Sequence, residues 1–174
     1  MSDFFDKITG QQDPLKQLLG YIPGFKGYVE RQNRRDADKL VRDTVARRFE
    51  EQWKRVSNLQ NDLVSGGKIE YVDDVEKAAI KLRTFIDKIS TAPRGYSGAF
   101  DAVKINEAEL LAIYQFDLAF FELSKQIASA VDNLEASLND DASLPAAIRN
   151  LTSLARTAVE TFNRRSEVVT GSGN

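Results

Sequence analysis

Neither cysteine nor histidine occurs in this chain of 174 residues. The first absence removes disulfides, thiolate nucleophiles, zinc ribbons and iron–sulfur clusters ligated by the chain, and the second removes imidazole as a base or metal ligand. Serine–histidine triads and ferritin-type metal centres go with them, and no cofactor is expected. Long hydrophobic runs are missing as well: the longest, Leu110 to Tyr114, is far shorter than the roughly 20 residues that cross a bilayer. The opening Met1-Ser2-Asp3-Phe4-Phe5-Asp6-Lys7-Ile8 has early acids and no basic stretch leading into an apolar core, so no secretory signal is expected there. The cytoplasm follows as the expected compartment, with peripheral attachment to a membrane as the alternative. On that reading the sequon Asn150-Leu151-Thr152 is coincidental.

Glycine and proline are scarce and clustered, and the stretches between the clusters have helical period. Asp13-Pro14 reads as a helix start, followed by a short helix through Leu15, Leu18 and Leu19, and Gly20 to Gly27 as a bend. From there to Gly66 neither residue occurs, and Ala37, Val41, Val45, Phe49, Trp53, Val56, Leu59 and Leu63 recur at about 3.7 residues. That spacing predicts one long helix over about residues 28–64, stopped by Ser65-Gly66-Gly67. A second starts near Asp73 and buries Val75, Ala79, Leu82, Phe85, Ile86 and Ile89. Asn106 and Glu109 have capping-box spacing and open the most apolar helix, expected to Leu138. Its residues Ile113, Phe116, Phe120 and Leu123 lie on one face and Leu111, Tyr114, Leu118 and Phe121 on another, which predicts a helix covered on two sides. Ser143 and Pro145 start the last helix, with Ile148, Leu151, Ala155, Ala158 or Val159, and Phe162 as its buried stripe.

Four principal helices joined by short or moderate connections predict an all-α fold, an antiparallel four-helix bundle of unequal long helices with a short N-terminal helical arm. The expected division is an arm over 1–25, a bundle over 26–166 and a flexible tail over 167–174. Charge is unevenly spread along it. Residues 26–56 hold ten Lys/Arg against six acids, whereas 101–141 hold nine acids against Lys104 and Lys125. Opposite signs on neighbouring helices, or on two subunits, attract. Nucleic-acid binding along Arg34, Arg35, Arg42, Arg47 and Arg48 is disfavoured by interleaved acids and a pI near 5.3.

Three features are candidates for function. The apolar residues Phe4, Phe5, Ile8, Leu15 and Leu18 of the arm would touch a partner or a membrane, the competing reading being that the arm folds back over the bundle. The loop Pro93-Arg94-Gly95-Tyr96-Ser97-Gly98-Ala99-Phe100 mixes glycine, aromatic and charged residues, which makes Arg94, Tyr96 and Phe100 a candidate binding loop. Alternatively Tyr96 and Phe100 plug the end of the bundle. Ser97 is not in a nucleophile elbow, because Ala99 stands where that motif needs glycine and no His base exists. Asp117, set among Phe116, Leu118, Phe120 and Phe121, is expected to be partly buried and to need a cationic partner, with Arg94, Lys125 or a residue of another helix as candidates. Glu122, five residues on, lies about 140° round the helix and does not share its site. The expected function is that of a nonenzymatic helical scaffold or adaptor acting through protein–protein contact or self-association, the alternative a peripheral membrane protein anchored by its N-terminal segment.

Overall fold

The computed structural model describes residues 14–30, 33–92 and 106–171. The regular elements among them are all helical: α1 (Pro14–Tyr21), α2 (Arg34–Ser65), a 3-10 turn (Ile69–Tyr71), α3 (Val72–Thr91), α4 (Glu107–Ala136) and α5 (Leu144–Thr170). Local chemistry sets their ends. Asn106 Oδ1 accepts from the Glu109 amide and Glu109 Oε2 from the Asn106 amide, both at 2.9 Å, which is the expected capping box. At the end of α2 the Lys68 amide bonds Leu63 O at 2.9 Å and the Gly67 amide bonds Val64 O at 3.1 Å. This paired closure needs a left-handed residue at its apex, and Gly67, with φ of 75°, supplies it.

The first long helix starts later than its period suggests, at Arg34 and not near Tyr28. Tyr28 is held outside the helix by tertiary bonds: its amide donates to Tyr114 Oη at 2.9 Å and its carbonyl accepts from Arg34 Nε at 2.8 Å. Gly27 before it has φ of 79°, and a Cβ there would lie 2.7 Å from Tyr114 Oη. Only glycine passes through that contact without strain.

α2 packs on α3 and on α4, α3 also on α5, α4 on α5, and α1 on α4; Arg42 early in α2 meets Ile89 late in α3, and Asp117 early in α4 meets Arg165 late in α5, so each of these successive pairs runs in opposite directions. Ion pairs at matching heights, Arg55 with Asp132 and then Lys68 with Asp141, place α2 and α4 side by side in the same direction. One phenylalanine from each long helix meets at the centre. Phe49 and Phe85 have ring centroids 4.2 Å apart, Phe85 and Phe120 5.6 Å, and Phe120 and Phe162 6.5 Å. Such offset and tilted pairs add to the large area that each ring removes from water. The expected stripes form the core, except that Leu111, Phe116 and Leu118 are only half-buried, as is Trp53, with the Arg83 guanidinium 5.3 Å from its ring centroid. Five helices thus pack against one another in an all-α fold.

The described part of the arm folds back. Leu18, Ile22, Phe25 and Tyr28 are buried, and Tyr21 stacks on Phe121 at 4.8 Å with the Arg48 guanidinium 5.3 Å from the Tyr21 ring and 5.2 Å from that of Phe121. This gives α4 its second covered side. At the other end α5 continues as helix to Thr170, with Val169 buried, so 167–170 belong to the packed structure and not to a flexible tail.

Candidate functional site: a buried charge cluster and an open basic groove

Three residues out from the phenylalanine layer, Asp117 on α4 and Arg165 on α5 occupy positions that the helical period assigns to the core. Both side chains are fully buried. Arg165 Nε donates to Asp117 Oδ1 at 2.6 Å, and its Nη2 donates to Asp38 Oδ1 at 2.8 Å and to Tyr28 Oη at 3.2 Å. Tyr28 Oη in turn donates to Asp117 Oδ2 at 2.5 Å. On α2, Arg42 Nε donates to Asp38 Oδ2 at 2.8 Å, and its Nη1 reaches Ile89 O at the end of α3 at 3.0 Å. Two carboxylates and two guanidinium groups balance in charge, and the four long helices and the arm all contribute an atom. Among the described residues no buried side-chain nitrogen or oxygen lacks a partner, which is the condition under which buried charge is tolerated.

Burial pushes the Asp117 carboxyl well above the ordinary carboxylate range, the hydrogen bond from Tyr28 pulls the other way, and the Asp38 charge adds to the rise. Arg165 Nε donates to the other Asp117 carboxyl oxygen at 2.6 Å. Burial, reinforced by the Asp117 charge, raises the Tyr28 phenol well above its usual value, so near neutrality it keeps its proton and acts as a donor. Burial disfavours the Arg165 charge, but Asp38 and Tyr28 outweigh it and raise its pKa. Both Asp117 oxygens are engaged, one by Arg165 and one by Tyr28. Chemically these residues form a set of charge-assisted bonds.

A second feature is open. The 3-10 turn and the starts of α3 and α5 lie side by side and flank a groove of ≈650 Å³. Tyr71, Pro145 and Ile148 give it an apolar floor, and Lys77, Arg149 and Arg156 bring cationic groups to its rim. Lys77 Nζ is paired with Asp74 at 2.7 Å, whereas Arg149 and Arg156, both exposed, have no hydrogen-bonding or ionic partner among the described residues. Thr152 and Ser153 lie between the two arginines along α5. Another groove, of ≈500 Å³ between α4 and α5, is lined chiefly by neutral polar groups such as Gln126, Ser129 and Asn150, with Lys125 at its edge.

Of the residues expected to touch a partner or membrane, Leu15 is half-buried and Leu18 wholly buried against the chain's own helices. Phe4, Phe5 and Ile8, like Arg94, Tyr96 and Phe100, lie outside the described residues. Asp117 meets its cation on another helix, Arg165. Lys125, the other candidate within the described residues, lies 3.5 Å from Glu122 and 4.7 Å from the Tyr21 ring centroid instead. Glu122 is exposed and takes the Tyr21 hydroxyl at 3.0 Å, apart from Asp117 as its helical angle requires. Sequence reasoning missed Tyr28, Asp38, Arg42 and Arg165. One signal was available, because Arg165 continues the stripe Ala158, Phe162 toward Val169 just as Asp117 interrupts its own. The groove had no such signal, since its two walls come from helices separated by all of α4. Comparison with protein-family models, with curated proteins and with solved structures finds no match to this chain.

Proposed function

We propose that this chain is a nonenzymatic helical scaffold or adaptor of the cytoplasm, and that it acts by binding another protein or a second copy of itself. On this reading the four long helices form an antiparallel four-helix bundle, with the N-terminal arm laid along α4. One contrast carries the proposal. The buried charges pair with one another across α2, α4 and α5 and reach the α3 backbone through Arg42, which supports a rigid frame, whereas Arg149 and Arg156 stand unpaired among the described residues at an open groove. No helix among the described residues is long and apolar enough to cross a membrane.

Chemical crosslinking in cells, with mass-spectrometric identification and sizing of the purified chain, tests the reading. The expected result is a protein crosslinked to the exposed faces of α3 and α5, or a stable dimer. A monomer that yields no crosslinked partner would overturn it. Flotation with anionic liposomes by the intact chain, and not by a chain starting at Pro14, would transfer the function to the membrane surface through Phe4, Phe5 and Ile8.

A further inference from the structure

Resting on that protein-binding reading, we propose that the groove between α3 and α5 receives an acidic helical segment of the partner, whose carboxylates meet Arg149 and Arg156. The spacing of the two arginines is the first argument. Seven residues apart, they project from one side of α5 about 10.5 Å from each other, the separation of two side chains two turns apart on a facing helix. A groove between two parallel helices, floored by Tyr71, Pro145 and Ile148, has the shape that a third amphipathic helix fills.

Charge selects the sign of that helix. Lys81 and Lys88 follow Lys77 at steps of four and seven along α3, so the same side of the helix carries three lysines. Against these five cations stand Asp74, already bonded to Lys77, Asp73 beside it, Glu70 in the 3-10 turn and Glu160 further along α5. Both α3 and α5 begin at this end, so the positive ends of their dipoles lie together. Asp73 and Asp74 offset the share of α3, whereas no acid in the first turn of α5 offsets its own. The neighbouring Asp140 and Asp141 are engaged by Ser143 and Lys68.

A peptide suits the site better than a nucleic acid or a lipid surface. Phosphate backbones are held by many cations with few acids nearby, and here the whole chain carries a net charge of -2. A flat bilayer cannot reach the floor of a concave groove. A carboxylate-bearing helix with an apolar seam satisfies the floor and the rim together.

The test uses the full chain, labelled with 15N, and a designed amphipathic peptide of about 18 residues, long enough to hold a helix, with Glu at positions one and eight of its polar face. The expected result is a set of amide shifts confined to Lys77, Arg149, Thr152, Ser153, Arg156 and their neighbours, weakening as salt rises. Arg149→Glu with Arg156→Glu should weaken binding by about ten-fold or more, since both side chains are exposed and the fold does not depend on them. The same peptide with Lys for Glu should not bind. Absence of shifts at low salt, shifts elsewhere, or unchanged affinity in the double variant would overturn the proposal. Tighter binding at the same residues by single-stranded DNA or by phosphatidylserine vesicles would replace the partner class. A crosslinked partner that binds the double variant as well as the parent chain would remove the groove and leave the adaptor reading standing, whereas a parent chain that is monomeric and yields no partner removes both.

Discussion

Replacing Arg165 with methionine keeps the volume of the side chain and removes its charge and its donors. Asp117 is then left with the Tyr28 hydroxyl alone, and Asp38 with Arg42. Because Arg165, Asp117 and Asp38 are fully buried, water cannot take the place of the lost guanidinium. Removing one member of a buried ion pair costs about 3–5 kcal/mol, a large part of the roughly 5–15 kcal/mol that stabilises a typical domain. At about 2–4 °C per kcal/mol for a chain of this length, a loss near 4 kcal/mol lowers Tm by about 8–16 °C. Urea unfolding followed by circular dichroism and by Trp53 fluorescence measures it. Two comparisons isolate the cause. Arg55→Met breaks ion pairs to Asp132 and Glu135 that are 36% to 68% exposed at the side chains, and should cost no more than about 1 kcal/mol. The triple change Arg165→Met, Asp117→Leu and Tyr28→Phe removes the stranded carboxylate and its donor, and should recover about 2 kcal/mol or more relative to Arg165→Met alone. If Arg165→Met costs less than about 1 kcal/mol, the cluster does not join the helices as described.

Gly27→Ala places a methyl group 2.7 Å from Tyr114 Oη at a φ of 79°, and should destabilise by about 2–3 kcal/mol in the same urea assay; a neutral effect would show that the turn can rearrange. Tyr21→Ala removes the stack on Phe121 and the two cations over its ring, so hydrogen exchange of amides 17–28 should accelerate by about ten-fold or more while that of α3 is unchanged. Uniform acceleration would mean that the arm does not open separately. Bonds from the Ser143 hydroxyl and the Ala142 amide hold the Asp140 carboxyl below the ordinary carboxylate range. A carboxylate with a depressed folded pKa stabilises above its unfolded value and loses that effect as pH falls through the folded one. The stabilities of the parent chain and Asp140→Asn should therefore differ at neutral pH and converge as pH falls through the depressed folded value. A gap that persists in acid points to shape and not charge. Glu109→Ala breaks half of the capping box and should cost about 0.5–1 kcal/mol, read most clearly as faster exchange at the first amides of α4.

Helix existence, and most helix ends, were legible because they depend on neighbours in sequence. The period of Ala37 to Leu63, the Gly67 stop and the Asn106–Glu109 cap each involve residues within a few turns of one another, and each recurs in the structure. Asp117 was legible as a carboxylate in need of a cation, because polarity among aromatics is visible in the chain itself. Its partner was not, since Arg165 is 48 positions away and the choice depends on which helix α4 packs against. The start of α2 shows the same limit: local period carried it back to Tyr28, and only the tertiary bonds of Tyr28 to Tyr114, Asp117 and Arg34 hold that residue out of the helix.

The lack of Cys and His decided from the outset which chemistries this chain cannot perform with its own side chains, and helical period decided that it is all-α, because both depend on composition and short-range order. Which charges neutralise one another, where the arm lies and that α3 and α5 enclose a basic groove were decided only by tertiary packing. Burial brings distant residues together and makes the cost of an unpaired charge large enough to select one arrangement.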